Sequence, residues 1–182
     1  MSVLKGNLVT LRSIEREDSK ILHELEKNVE LVLLGDGTWS PTSLASIEKR
    51  FEKHLENPEK SWFIIEVEGV VIGTIGLHHQ DRVAQCSEFG IGIYHPDYVG
   101  KGYGSDAIQV LLGWAFRIQN YRRIWLTTGS NNPRAVAAYE KCGFIHEGRL
   151  RQHFYNNGEY VDVIQMGMLR SEWEAKRPEH KA

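Results

Sequence analysis

The chain has 182 residues, 41% of them hydrophobic and 25% charged, the size and balance of one globular domain that buries ~70% of its unfolded surface. A formal net charge of −2 lacks the basic face that general nucleic-acid binding needs, so no nucleic-acid partner is expected, while cationic or amine partners stay open. No stretch reaches the ~18 apolar residues of a membrane span, "MSVLKGNLVTLR" reads as no secretory signal, and the only two cysteines, Cys86 and Cys142, lack metal-ligand spacing; the expectation is a soluble, cytoplasmic chain with reduced thiols and no metal.

In chain order, "LVTLR" (8–12) alternates like a short strand, and "EREDSKILHELEKN" reads as a helix with acids in its first turn. "LLGDGTWSP" (33–41) is a loop, after which Thr42 or Ser43 can cap a second helix ending near Asn57 and Pro58. "SWFIIEVEG" and "VVIGTIGLH" are two strands joined at Glu68-Gly69, and "CSEFGIGIYHP" (86–96) is a third, stopped by Pro96. The glycine cluster "YVGKGYGSDA" (98–107) then runs into an apolar helix reaching about Ile118, followed by the buried strand "RRIWLTTG". "NNPRAVAAYEKCGF" is a helix with Asn132 as N-cap, Pro133 in the first turn and Gly143 as its stop. Two late strands flank "YNNGEY", whose Asn157-Gly158 is a hairpin signal, and "SEWEAKRPEH" closes with a short helix. The order βααβββαβαββα is mixed α/β, antiparallel early, with a crossover around strand 86–94.

The glycine cluster fits neither common phosphate motif. A dinucleotide fingerprint needs Gly-x-Gly-x-x-Gly and an acid ~20 residues on, whereas the following strand ends in "LTTG". A Walker loop needs Gly-Lys directly before Ser or Thr, and Lys101 precedes Gly102. What remains is an anion site in outline: glycines admit close backbone approach, the helix start offers free N–H groups, and Lys101 adds a cation. A glycine-rich helix start without any ligand explains this stretch alone equally well.

Further along, Asn132, Ala135, Tyr139, Glu140, Lys141, Gly143 and Phe144 form the pattern Asn-x-x-Ala-x-x-x-Tyr-Glu-Lys-x-Gly-Phe. Together with "GKGYG" this resembles the GNAT superfamily of acyl-CoA-dependent N-acetyltransferases. "EGRLRQHFYNNGEYVDVIQMGMLRSEW" is similar to the branch holding ribosomal-protein N-terminal acetyltransferases (RimJ/RimL) and spermidine acetyltransferases. The resemblance covers about residues 5–174 and implies a single N-acetyltransferase domain over 1–182. Its α/β (mixed α+β) fold would have a mostly antiparallel twisted sheet, splayed near strands 86–94 and 122–129 and flanked by helices. It also implies acetyl-CoA as acyl donor and an amine acceptor: a protein N-terminus, a polyamine, an aminoglycoside or another small amine. Dimers are common among resembling proteins, so a homodimer is an expectation too.

Residue by residue, the resemblance places the CoA pyrophosphate on the backbone of Val99, Gly100, Lys101, Gly102, Tyr103 and Gly104, with Ser105 nearby. Val99 stands where the family often has Gln or Arg, which removes side-chain contacts and leaves the backbone ones. The pantetheine arm is implied along Ile91, Gly92, Ile93 and Tyr94. Alternation puts Glu88, Gly90, Gly92 and Tyr94 on one face of that strand, and two bare glycines there suggest close approach of another group. Asn132 is assigned both a cap and a contact to the CoA arm.

Amide formation needs a neutral amine, yet a lysine-like ammonium has a pKa of ~10.4. Glu88 is the first candidate base, directly or through water, with a surface carboxylate as the plain alternative and His78, His79 and His95 as rivals. Tyr139 is implied to point at the CoA sulfur; a phenol near ~10 against a thiol near ~8.5 makes full proton transfer uphill by roughly 2 kcal/mol. The family's acceptor segments fall at 28–43 and at the hairpin near 153–160. Glu15, Glu17, Asp18, Glu30 and Asp36 are the acids a polycation could use, but helix-end or solvated roles suit most of them. Two rival readings remain, a noncatalytic acyl-CoA-binding module and a nucleotide-binding protein that uses "GKGYG" for ATP.

Overall fold

The computed structural model describes residues 3–35, 39–56 and 61–177. Two short strands, β1 (Val3–Lys5) and β2 (Thr10–Ser13), precede three helices, α1 (Asp18–Leu25), α2 (Val29–Leu33) and α3 (Leu44–Leu55). Strands β3 (Ser61–Val67), β4 (Val70–Asp81) and β5 (Cys86–Ile93) follow, then a 3₁₀ turn at Pro96–Tyr98 and helix α4 (Tyr103–Arg117). The chain closes with β6 (Arg123–Gly129), α5 (Pro133–Cys142), the hairpin β7 (Ile145–Asn156) and β8 (Glu159–Leu169), and α6 (Arg170–Ala175). All eight strands form one sheet in the order β1-β2-β3-β4-β5-β6-β8-β7. The mixed α/β class and the mostly antiparallel, helix-flanked sheet are those expected from the sequence.

Two elements go beyond the expected order, β1 and α2, of three and five residues. Neither is long enough for a period-2 or period-3.6 pattern to register. The second long helix is capped by Ser43, which accepts from the Ser46 N–H at 3.2 Å. Its expected end at Asn57 and Pro58, like Asp36, lies outside the described residues.

The sheet separates two apolar layers because neighbouring strand residues face opposite sides. Ile64 joins Leu22, Ile47 and Phe51 under α1 and α3, while Ile65 joins Leu111, Phe116 and Phe89 under α4 and α5. Arg12 on β2 ties the first layer together. Its guanidinium donates to both Asp18 carboxylate oxygens at 2.8 Å and to Glu66 at 2.7 Å, and the paired carboxylates push its pKa further up.

Among the described residues, all strand pairs but one are antiparallel. The exception is β5 with β6, parallel and paired only from Cys86↔Arg123 to Glu88↔Trp125. Beyond that point β5 continues to Ile93 along β4, and β6 continues to Gly129 along β8. Two strands firmly held by different outer partners are thereby drawn apart, and a gap opens in the middle of the sheet, at the splay implied by the resemblance.

The start of α4 is fixed from the other end of the chain. Asp106, in the helix's first turn, accepts the backbone N–H groups of Asn7, Leu8 and Val9 at 3.2, 2.7 and 3.0 Å. One carboxylate thus satisfies the β1–β2 turn and anchors it to the glycine loop. We predict that Asp106→Ala, which leaves three backbone donors without their acceptor, lowers unfolding stability by about 1–3 kcal/mol in urea titrations. An unchanged midpoint would show that water replaces the carboxylate at no cost.

Candidate active site

The gap between β5 and β6 opens into a cleft of about 1030 Å³ that crosses the sheet. Tyr94 donates its N–H to the Ile72 carbonyl on β4 at 2.9 Å. Alternation along the strand therefore turns the N–H and C=O groups of Ile91 and Ile93 toward the opposite edge. Among the described residues no strand pairs with that edge past Glu88. It is a free backbone ladder, complementary to an extended chain bearing amides.

At one end of this edge lies the glycine loop. Gly100 and Gly102 have φ of 76° and 91°, in the left-handed region that only glycine enters without strain. Gly102 is the N-cap of α4, a helix of 15 residues whose first regular bond runs from the Asp106 N–H to the Gly102 carbonyl. The N–H groups of Tyr103, Gly104 and Ser105 precede that bond and carry the positive end of the helix dipole. An anion fits here by backbone contact alone.

Of the residues expected to meet the cofactor, Ile91, Gly92, Ile93, Tyr94, Val99, Gly100, Gly102, Gly104, Ser105, Asn132 and Tyr139 line the cleft. Lys101 and Tyr103 do not. The flanking left-handed glycines turn Lys101 out to solvent, and the Tyr103 ring packs beside Tyr98 at 5.4 Å between centroids. The glycine-bearing face of β5 also differs from expectation. Gly90 lies under the His78 ring and Gly92 under the phenol of Tyr94, so the chain's own side chains occupy that face. The open approach is along the strand's edge.

The two expected catalytic side chains stand on opposite faces of β5. Glu88 lies on the face of Gly90, where Oε1 accepts from the Thr127 hydroxyl at 3.1 Å and Oε2 lies 2.6 Å from Nδ1 of His79. Its neighbour Phe89 points the other way, into the core, and meets Tyr139 edge-on at 5.7 Å. Tyr139 is only 9% exposed, and burial pushes its phenol up to about 12. The splay joins the two environments, a carboxylate with polar partners on one side and a protonated phenol on the other. Of the rival bases, His78 and His79 line the cleft with Glu88, whereas His95 packs against Tyr98 away from it.

Asn132 serves as the expected cap, accepting the Ala135 N–H at 3.1 Å, and its Nδ2 donates to the Leu34 carbonyl at 2.8 Å. Both ends of this amide are therefore engaged by the protein itself.

Several lining residues escaped the sequence reading. Leu31, Val32 and Leu34 come from the unforeseen α2 and its end, and His153 and Phe154 from β7. The register between β7 and β8 shifts between Leu150 and Phe154, and Gln152 takes a positive φ of 50° there, which re-aims this part of the strand. The segments 28–43 and 153–160 were expected through the resemblance, but not which of their residues reach the cleft. Glu26 also lines the cleft, with Oε1 and Oε2 each 2.7 Å from Nη2 of Arg50. The acidic run near the N-terminus does not contribute: Asp18 is engaged by Arg12, Glu15 and Glu17 are exposed, and none of the three lines the cleft. Glu30, on α2, is exposed and likewise absent from the lining. Among the described residues no group of three His, Cys, Asp or Glu side chains is placed to hold a metal ion, and no helix is long and apolar enough to cross a membrane.

Residues 9–145 match the acetyltransferase (GNAT) domain family. The chain belongs to that family. It is 32% identical over 169 residues to the spermidine N(1)-acetyltransferase of Vibrio cholerae, covering 91% of this chain and 95% of the relative. The crystal structure of spermidine N-acetyltransferase from Vibrio cholerae in complex with CoA and spermine has a TM-score of 0.85 at 32% identity, over 93% of this chain and 99% of that one. A dodecameric structure of the Vibrio cholerae enzyme has a TM-score of 0.81 at 31% identity, over 94% and 99% of the two chains. The GNAT protein described here is an acetyl-CoA-dependent N-acetyltransferase, which transfers acetyl to a primary amine.

The burial of Tyr139 has a measurable thermodynamic consequence. A phenol whose folded pKa is raised from 10.0 to about 12 favours folding fully below pH 10 and loses that contribution as pH rises toward 12. Between pH 8 and pH 11 the wild type should lose about 1 kcal/mol more unfolding stability than Tyr139→Phe, read from urea titrations at each pH. Parallel pH curves for the two proteins would contradict the buried-phenol account.

Proposed function

We propose that this enzyme acetylates a primary amine of a polyamine, with Glu88 and Tyr139 acting from opposite faces of the splayed sheet. The observation that carries the reading is the cleft itself, which crosses the sheet between a carboxylate on one side and a buried phenol on the other. The spermidine acetyltransferases similar to this chain over nearly its whole length support the polyamine class. Glu26 and Glu88 supply two carboxylates in the cleft for a substrate bearing several ammonium groups.

In this reading the glycine loop and the first turn of α4 receive the CoA pyrophosphate through backbone N–H groups, and Val99, having no polar side chain, adds no side-chain hydrogen bond. Lys101 contributes at most its field from the solvent side. The pantetheine amides pair with the free edge at Ile91 and Ile93, which holds the thioester in the gap beside Tyr139. Glu88, oriented by Thr127 and His79, takes the proton from the ammonium, directly or through water. The neutral amine nitrogen then attacks the thioester carbonyl, the C–N bond forms, and the C–S bond breaks with its electrons on sulfur. With the Tyr139 phenol at about 12 and a thiol near ~8.5, complete proton transfer to sulfur is uphill by about 5 kcal/mol. Tyr139 therefore acts by hydrogen bonding to the thiolate as its charge grows, and the proton that the attacking nitrogen sheds as the amide forms passes through water to that thiolate. The same reading places the enzyme in the cytoplasm as a self-associating chain, a homodimer being the smallest such unit; the dodecameric relative supports assembly.

An amine panel spanning polyamines, peptide N-termini and aminoglycosides, with products identified by mass, tests the acceptor. Spermidine or spermine should give the highest kcat/KM, and CoA binding without release by any amine would defeat the enzymatic reading. Tyr139→Phe should lower kcat by about 10- to 100-fold while leaving acetyl-CoA affinity nearly unchanged. Glu88→Gln should lower the rate at neutral pH by about 100-fold, with part of the loss restored as rising pH deprotonates the amine in solution. A pH–rate profile identical to wild type would return Glu88 to a structural role.

A further inference from the structure

Helix α2 forms part of the cleft wall, yet little in its own sequence holds it there. It has five residues, none of them buried, far below the ~12 at which an isolated helix becomes even marginally stable. Its N-terminus is capped by Asn28, which accepts the Leu31 N–H at 3.2 Å. At its C-terminal end, where helix carbonyls lack partners of their own, two side-chain amides supply donors. Asn132 Nδ2 donates to the Leu34 carbonyl at 2.8 Å, and Asn156 Nδ2 donates to the Leu33 carbonyl at 2.9 Å. These donors come from α5 and from the end of β7, 98 and 123 residues further along the chain.

Asn156 is not explained by core packing. It is 4% exposed, and its Oδ1 has no hydrogen-bond partner among the described residues. A buried amide satisfied on one side costs stability relative to an apolar residue of similar size. The orientation of the amide follows from its one contact, since the opposite assignment would set Oδ1 against the Leu33 carbonyl. What the satisfied side holds is the end of the segment from which Leu31, Val32 and Leu34 line the cleft.

We propose that Asn156 is a positioning residue for the acceptor amine: with Asn132 it clamps the C-terminal end of α2 and so sets the wall that the amine meets. The proposal rests on the reading that the α2 flank of the cleft receives the acceptor. Because Asn132 also caps the helix that carries Tyr139, the clamp ties the acceptor wall to the element beside the thioester. Asn156 touches neither reacting atom, and its effect is on the amine alone.

The test compares Asn156→Leu, which keeps the size and removes the donor, with Asn156→Asp, which turns an acceptor toward the Leu33 carbonyl. Asn156→Ser serves if the leucine variant does not fold. KM for the best amine of the panel should rise by roughly 5- to 10-fold, the loss of one buried hydrogen bond, while KM for acetyl-CoA changes by less than about 2-fold. Hydrogen–deuterium exchange, which needs no substrate, should speed up at residues 29–35 and stay as in the wild type at 133–142. Unchanged exchange at 29–35 would overturn the clamp. Faster exchange with an unchanged amine KM would overturn its role in positioning the acceptor, and equal rises in both KM values would reduce Asn156 to general stability. Absence of turnover by the wild type with every amine is a different result, which defeats the acceptor reading of the preceding subsection.

Discussion

The active-site architecture depends on how little of β5 and β6 pair. Three residue pairs hold the two strands together, and then each follows its outer neighbour, β4 or β8. A continuous sheet would satisfy the backbone of Ile91 and Ile93 internally and leave no passage between its faces. The splay instead leaves that edge without a strand partner among the described residues and opens a passage between a carboxylate on one face and a phenol on the other. The parallel pairing is itself required by the crossover through α4, which returns the chain in the same direction. The helix that makes the crossover also brings its N-terminal residues Gly104 and Ser105 to the cleft.

The elements around the gap are fixed by polar contacts that span long stretches of chain. Asp106 joins the β1–β2 turn to the start of α4, Arg12 joins β2, β3 and α1, and Asn132 and Asn156 hold α2 against the far side of the cleft. Each links segments too short to find their places by apolar burial alone. The core beneath can be built by hydrophobic pattern, but pattern does not define where a three-residue strand or a five-residue helix should stop. Hydrogen bonds with fixed geometry do.

The charge pattern of the cleft tempers any simple view of polycation recognition. Glu26 is already paired with Arg50, and Glu88 already has His79 and Thr127 as partners. In the proposed function an incoming ammonium shares these carboxylates with the groups that hold them in place. Sharing lowers the gain from each contact and raises the importance of shape, which makes the position of the α2 wall consequential for selectivity.

The long elements and the glycine loop were legible from sequence because their signals are local. Alternation marks β3 to β5, Asn132-Pro133 and Gly143 bracket α5, and Asn157-Gly158 marks the late hairpin. The pattern from Asn132 to Phe144, set beside "GKGYG", was enough to name the family. Other features depend on residues far apart in the chain. The occupation of the glycine face by His78 and Tyr94, the displacement of Lys101 and Tyr103 from the cleft, and the contribution of His153 and Phe154 follow from ring packing, left-handed glycine turns and a bulge. No local period encodes these. The sequence by itself determined the mixed fold, the family and the chemistry, since each is written in short patterns with a direct physical meaning. Only the tertiary structure decided which face each group occupies and what holds α2 to the cleft, because those contacts join residues about a hundred positions apart, whose meeting depends on the packed sheet.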